Sequence, residues 1–238
     1  MGASGDVLAP ADFDGDGRTD LAVFRPSTGV WLYRSSINGA VVSRQWGQSG
    51  DVPRPSDFDG DGRSDFVLFR PSNNTWYRLS AANAINVQQF GEAGDNPLVG
   101  DFDGDGKLDL AVFRPSTGQW FYLASSNGHF RVTAWGVNGD IPAPADFDGD
   151  GRTDLAVFRP SNGNWYIRNE ATASITVMTF GTSGDKPAPA DYDGDGRADI
   201  AVFRPSNGTW YLKQTTAGFT AFPFGVGSDR PVPNAFVP

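Results

Sequence analysis

Five aspartate-rich segments are the clearest candidates for chemistry in this 238-residue sequence. Each follows the pattern D-x-D-x-D-G-x-x-D, with carboxylates at the first, third, fifth and ninth positions. Calcium binds six to eight hard oxygen ligands, and carboxylates spaced in this way point inward as the chain curls around an ion. Glycine at the sixth position permits the sharp turn. The pattern therefore predicts one calcium site in each segment.

The predicted ligands in each loop are four carboxylates and the backbone carbonyl of the basic residue at the seventh position. In the first three loops they belong to Asp12, Asp14, Asp16, Arg18, Asp20, Asp57, Asp59, Asp61, Arg63, Asp65, Asp101, Asp103, Asp105, Lys107 and Asp109. In the last two loops they belong to Asp146, Asp148, Asp150, Arg152, Asp154, Asp191, Asp193, Asp195, Arg197 and Asp199. We expect up to five Ca²⁺ ions.

Three other interpretations of these loops are weaker. An EF-hand needs a bidentate Glu at position twelve, and that position here holds Val23, Leu68, Val112, Val157 and Val202. Magnesium demands tighter octahedral geometry and gives up its waters reluctantly, so a flexible loop favours calcium. A plain acidic turn is disfavoured because four carboxylates within nine residues repel one another without a cation.

The loops lie within a unit of about 45 residues that repeats along the chain. The copies begin at spacings of 45, 44, 45 and 45 residues, and each unit offers four short strand candidates. In the fourth unit these are roughly 141–147, 154–159, 164–169 and 174–180. Four strands in such a unit are typical of one propeller blade. The units span about 5–49, 50–93, 94–138, 139–183 and 184–227.

The sequence therefore predicts one all-β domain over residues 1–238, a β-propeller of five four-stranded blades. A solenoid is disfavoured because its end repeats are usually polar and atypical, and the first and fifth units here are regular. Residues 228–238 restart a unit, but Ala235 stands where the first metal ligand would be. We interpret them as a closing strand; the alternative is a fragment of a larger propeller.

Composition narrows the classes of partner. The chain has no cysteine, which excludes disulfides and thiolate metal sites. Its net charge of −9 argues against a nucleic-acid partner, which needs a basic surface. No apolar run reaches the roughly 18 residues of a membrane helix, so membrane insertion is not expected. The first residues show no signal-peptide pattern.

Two further residues recur in every unit, each with two interpretations. The arginines form either an electropositive ring for a ligand carboxylate or structural pairs with the aspartates that begin each unit. The tryptophans either stack on sugar rings or fill the space between blades; we favour the structural use of both. The arginines are Arg25, Arg70, Arg114, Arg159 and Arg204, and the tryptophans are Trp31, Trp76, Trp120, Trp165 and Trp210.

No nucleophile paired with a base is visible in the sequence. The single histidine, His129, lies in a polar turn without a repeated partner and is expected at the surface. Carboxylates that bind calcium are poor general acids or bases. We therefore predict that the chain is not an enzyme.

The unit resembles the FG-GAP and VCBS repeats of integrin α-subunit propellers and of many bacterial surface proteins. The resemblance rests on the aspartate loop and on an aromatic–Gly pair in each unit, and it covers essentially the whole chain. The pairs begin at Trp46, Phe90, Trp135, Phe180 and Phe224. Two differences are that Arg-Pro-Ser stands where the family often has Gly-Ala-Pro, and that the well-known propellers have seven blades. The resemblance implies the propeller fold and calcium binding.

Two functions are compatible with these features. One is a lectin-like recognition module that binds a glycan or an extracellular protein through repeated pockets, whose multivalency raises avidity. The other is a calcium-stabilised scaffold, natural or designed, without its own ligand. Weak calcium sites fill in calcium-rich fluid, so we expect an extracellular or cell-surface location.

Overall fold

The protein forms five four-stranded antiparallel sheets, arranged as a five-bladed β-propeller. The structure, a computed structural model, describes residues 2–232, and no helix occurs within that range. The predicted all-β class and blade count are confirmed. In each sheet the four strands lie side by side in chain order. We number the blades 1 to 5 along the chain.

The strand bounds follow the repeat. Blade 1 contains β1 (Val7–Leu8), β2 (Leu21–Arg25), β3 (Val30–Arg34) and β4 (Val41–Gln45), and blade 2 contains β5 (Val52–Pro53), β6 (Phe66–Arg70), β7 (Thr75–Leu79) and β8 (Ile85–Gln89). Blade 3 contains β9 (Asn96–Gly100), β10 (Asp109–Arg114), β11 (Gln119–Leu123) and β12 (Phe130–Ala134). Blade 4 contains β13 (Ile141–Pro142), β14 (Leu155–Arg159), β15 (Asn164–Arg168) and β16 (Ile175–Thr179), and blade 5 contains β17 (Lys186–Pro187), β18 (Ile200–Arg204), β19 (Thr209–Gln214) and β20 (Gly218–Pro223).

In blades 2, 3 and 4 the second strand is apolar on both faces because a neighbouring blade packs on each. In β14, Leu155 and Val157 belong to the core cluster shared with blade 3. Ala156 and Phe158 belong to the cluster shared with blade 5. A strand covered on both sides reads as a continuous apolar run rather than an alternating one, which explains the Leu-Ala-Val-Phe sequence.

A glycine between the second and third strands lets two loops meet. At Gly29 φ is +66°, and an added Cβ would lie 2.1 Å from the carbonyl oxygen of Gly47 in the aromatic–Gly pair. In blade 2 the position is held by Asn74, with φ of 52°. Asparagine is one of the few other residues that adopt this left-handed conformation routinely.

Four core clusters join blade 1 to 2, 2 to 3, 3 to 4 and 4 to 5. None of these four clusters of the described residues joins blade 5 to blade 1. Residues 228–232 of the predicted closing strand form no strand. Residues 233–238 of that strand lie outside the described residues.

Candidate metal centres

Each aspartate loop connects the first strand of a blade to the second. In blade 1 an isolated bridge between Ala11 and Asp20 closes the base of the loop, and equivalent bridges occur in blades 2, 4 and 5. The two ends of the loop are thus held together by paired strands, and this pairing fixes where the loop side chains lie.

The first aspartate organises the turn. In loop 3, Asp101 accepts hydrogen bonds from the backbone N–H of Gly104 at 2.6 Å and of Gly106 at 2.8 Å, one on each carboxylate oxygen. The same two bonds recur in the other four loops. The sixth-position glycines have φ between +79° and +85°, and an added Cβ would meet no atom of the described structure within 4 Å. Backbone conformation rather than space therefore selects glycine there.

Three carboxylates of each loop have oxygen atoms within 4.8 Å of one another. In loops 1, 3, 4 and 5 these come from the first, third and ninth positions, whereas loop 2 groups its first, third and fifth. The fifth aspartate has a separate role, since its Oδ1 accepts the N–H of the seventh residue, as Asp105 does from Lys107 at 2.8 Å. Each group could hold a metal ion.

Several of these carboxylates have a buried oxygen without a hydrogen-bond partner in the described structure. They are the Oδ1 atoms of Asp14, Asp65, Asp103 and Asp193. A buried anionic oxygen left unpaired is costly, and buried charges are usually paired or bound to a metal ion. Four of the five loops therefore carry a buried carboxylate oxygen of the kind that a cation could pair.

Burial also raises the pKa of the ninth aspartate. Desolvation raises the pKa of Asp65 to about 7, of Asp109 to about 6 and of Asp154 to about 7. Neighbouring aspartates of the same loop add to the shift. Without a cation, ionisation of these groups is therefore less favourable than that of an exposed aspartate.

The turn between the third and fourth strands hydrogen-bonds to the aspartate loop in blades 1, 3, 4 and 5, a feature that was not predicted from the sequence. In blade 3, Ser126 Oγ donates to Asp103 Oδ2 at 2.6 Å, and Ser125 Oγ lies 3.0 Å from both oxygens of Asp105. Thr215 and Thr216 make the equivalent bonds in blade 5. In blades 3 and 5 the available signal is a pair of hydroxyl residues that begins 16 positions after the ninth aspartate, whereas blade 1 uses Ser35 and Ser36, one position earlier, and blade 4 uses Asn169.

Blade 2 departs from this arrangement. Ala81 and Ala82 occupy the two hydroxyl positions. The guanidinium of Arg78 lies 5.0 Å from the ring of Phe58, and its positive charge acts on Asp65. Loop 2 is thus less covered than loops 3 and 5 and has a partly buried cation beside it.

The repeated arginines are structural. In every blade the guanidinium donates two hydrogen bonds to the aspartate that begins the unit, as Arg70 does to Asp51 at 2.7 and 2.9 Å. In four blades the guanidinium also lies 4.1 to 4.3 Å from an aromatic ring of the third strand. The interpretation as structural pairs with those aspartates is confirmed by these contacts.

The repeated tryptophans are also structural. Trp31, Trp76, Trp120 and Trp165 are at most 1% exposed. In all five blades the indole N–H donates to the carbonyl of the aromatic residue in the aromatic–Gly pair, at 2.8 to 3.1 Å. The pair thus anchors the tryptophan inside the blade. His129 is exposed in the β11–β12 turn, as expected.

Two clefts lie between neighbouring blades beside the aspartate loops. The cleft between blades 3 and 4 has a volume of about 520 Å³ and is lined by Tyr122, Asn127, Arg131, Arg168 and Glu170 among others. Its counterpart between blades 4 and 5 has a volume of about 400 Å³ and includes Asp148 and Lys213. The lining side chains differ between the two clefts.

Comparison with solved structures identifies other propellers. Catalytically inactive virginiamycin B lyase from Staphylococcus aureus, solved with quinupristin, superposes with a TM-score of 0.62 at 12% identity, over 99% of this chain and 74% of the lyase. A lectin from Agrocybe aegerita that recognises non-reducing terminal N-acetylglucosamine superposes with a TM-score of 0.61 at 17% identity, over 91% of this chain and 65% of the lectin. TolB from Acinetobacter baumannii superposes with a TM-score of 0.64 at 18% identity, over 93% of this chain and 56% of TolB. At these identities the likeness shows the fold alone.

The first of these comparisons overturns the prediction that the chain is not an enzyme. That prediction rests on the missing nucleophile–base pair within a propeller, and virginiamycin B lyase is an enzyme on a similar fold. The propeller architecture therefore gives no ground for excluding catalysis.

Within residues 2–232 there is no helix with the length and apolar character that a membrane crossing requires.

Sequence comparison places the chain in a family. No curated protein sequence matches it. The profile of the FG-GAP-like repeat matches residues 57–112, 101–157 and 146–202, which together span more than half of the chain. The profile of the FG-GAP repeat matches residues 4–42. The chain belongs to the FG-GAP-like repeat family.

Proposed function

We propose that this protein is a calcium-binding propeller that holds one Ca²⁺ in each aspartate loop. The observation that carries the proposal is the set of buried, unpartnered carboxylate oxygens in loops that already group three carboxylates. Hard oxygen ligands on a flexible loop favour calcium over magnesium. The carbonyl of the seventh residue and water would complete the shell.

The bound ion would join two parts of a blade. The loop lies before the second strand, and the turn that covers it lies after the third. A ligand bound only by the folded form stabilises it by RT ln(1 + [L]/Kd). For a site with a Kd of about 0.1 mM, 1 mM calcium contributes about 1.4 kcal/mol. Such sites fill in calcium-rich extracellular fluid, which supports an extracellular or cell-surface location.

Calcium titration tests this proposal. Isothermal titration calorimetry should give up to five Ca²⁺ per chain, and chelation should lower the melting temperature. A melting temperature that is equal in millimolar calcium and in chelator would contradict a stabilising role. Magnesium at the same concentration serves as the control and should give a smaller shift.

We further propose that the propeller is a recognition module for a glycan or an extracellular protein. The tryptophans and arginines are already used inside the blades, so the ligand would bind in the clefts between blades, beside the metal loops. The lectin on a similar fold supports this choice.

The alternative is a calcium-stabilised scaffold without a ligand. It is favoured by one observation, that the residues repeated in every blade are used for packing and pairing. A glycan array with calcium and with chelator separates the two functions. Saturable, calcium-dependent binding that Arg131→Ala weakens supports recognition in the cleft between blades 3 and 4, and the absence of binding favours the scaffold.

A further inference from the structure

The four junctions between consecutive blades are built alike. Alternate residues of the second strand of the later blade face back onto the earlier one, as Leu155 and Val157 do. The aromatic residue of the earlier aromatic–Gly pair packs against the same cluster as the later blade, as Phe180 does with Ile200 and Val202. Each junction is thus formed by two different surfaces, which we call the back face of the later blade and the front face of the earlier blade.

Each junction also brings a basic side chain of one blade close to the aspartate loop of the blade before it. The basic residue at the seventh loop position of the later blade lies over the fourth-position glycine of the earlier loop. A Cβ added at Gly15 would lie 2.8 Å from Arg63 Cγ, and one added at Gly104 would lie 2.7 Å from Arg152 Nε. Lys107 and Arg197 take the same place over loops 2 and 4. Every internal junction therefore places a cation over an acidic loop.

On the back face of blade 1 no other blade covers Leu21 in the described structure, although Val23 on the same face is only 7% exposed. Leu21 is 68% exposed, whereas its counterparts Leu110, Leu155 and Ile200 are at most 6% exposed. Ala22 and Phe24, on the other side of β2, pack in the cluster shared with blade 2. Arg18 corresponds to the four capping residues and is exposed, as Arg63, Lys107 and Arg197 also are.

Blade 5 has the matching front face. Phe224 is 72% exposed, while the four other aromatic residues of this position are partly buried. Trp210 is only partly buried, although its four counterparts are at most 1% exposed. A Cβ added at Gly194 would meet no described atom within 4 Å, so the basic cap of the other four loops is missing from loop 5.

We propose that the front face of blade 5 binds the back face of blade 1 of a second copy of this chain. The two faces are complementary because each is half of a junction that the chain already makes four times. Leu21 of one copy would pack against blade 5 of the other, beside Phe224, and Arg18 would lie over loop 5. Two different patches meet, so the interface is heterologous and joins copies head to tail.

Analytical ultracentrifugation of the full chain in calcium tests this proposal. The wild type should exceed the 25.5 kDa of one chain and grow with concentration, or form a closed ring of fixed size. Leu21→Glu should damage only the back face and Phe224→Glu only the front face, so each variant should be monomeric. Both side chains are exposed, so neither substitution should unfold the protein. Ile175→Glu, at a side chain that is 59% exposed on an outer strand, is the matched control and should associate like the wild type.

Mixing the two monomeric variants gives the sharpest result. The mixture retains one intact front face and one intact back face, so it should form a dimer of about twice the mass of one chain and stop there. An isologous dimer would not be restored by mixing. A wild type that is monomeric at all concentrations would overturn the proposal and indicate closure within one chain or a different partner for these faces.

Discussion

Arg159 holds Asp140 through two parallel hydrogen bonds, Nε to Oδ1 at 2.7 Å and Nη2 to Oδ2 at 2.9 Å, and the Asp140 side chain is fully buried. Asp140 also accepts the backbone N–H of Val137. Each blade repeats this fork, which ties the start of the first strand to the end of the second.

Removing the arginine should therefore destabilise the fold. Arg159→Ala leaves a buried carboxylate without its partner, and we expect the free energy of unfolding to fall by about 3 kcal/mol. Urea unfolding in saturating calcium measures the change. Arg34→Ala, at an exposed arginine, should change stability by less than about 0.5 kcal/mol. Equal effects of the two substitutions would contradict a structural role for the fork.

Loss of one loop ligand should remove one calcium ion. Asp103→Asn replaces a carboxylate whose Oδ1 is buried without a partner, and we expect the calorimetric stoichiometry to fall by one. Glu92→Gln removes an exposed carboxylate outside the loops and should leave the stoichiometry unchanged. If both variants bind as many ions as the wild type, loop 3 does not bind calcium through Asp103.

Loop 2 should be the weakest site, because it lacks the hydroxyl groups that hold the third and fifth aspartates in blades 3 and 5. Ala81→Ser combined with Ala82→Ser restores them. Hydrogen bonds of this kind contribute about 0.5–1.5 kcal/mol each, so two of them should raise the weakest calcium affinity by about 5- to 150-fold. Asp57→Ala should abolish that weakest site, which identifies it as loop 2. An unchanged weakest affinity in the serine variant would contradict this account.

Stability in chelator should fall as the pH rises. Burial raises the pKa of Asp65 and Asp154 to about 7 and of Asp109 to about 6. A carboxyl group with a raised folded-state pKa binds its proton more tightly when folded, so its contribution is present at low pH and is lost as the pH passes that value. We expect the melting temperature in chelator to decrease between pH 5 and pH 8.

Saturating calcium should remove or reverse that slope, because the ion favours the ionised carboxylates. Thermal unfolding at several pH values, with calcium and with chelator, gives both curves. Parallel curves would show that the ions do not bind at these carboxylates.

The blade could be predicted from the sequence because its determinants are local. The aspartate spacing, the glycine at loop position six and the apolar run after each loop all fall within one unit of about 45 residues. Local determinants also explain the exception at position 74. Asparagine replaces glycine there, and the turn persists because asparagine tolerates the same backbone conformation.

The covering of the loops was harder to predict. Ser126 meets Asp103 across 23 residues and two strands, and only the register of the hairpin brings them together. The three carboxylates that come together include the ninth aspartate in most loops but the fifth in loop 2, and this choice depends on side-chain positions that the loop sequence does not contain.

The sequence alone determined the repeat, the strand class and the carboxylate loops, since each depends on contacts between residues close in the chain. Only the tertiary structure decided that the tryptophans and arginines serve the interior, and that blades 1 and 5 carry exposed faces. Those outcomes depend on which surfaces meet when blades pack, and repeats with nearly the same sequence differ in burial according to whether a neighbour covers them.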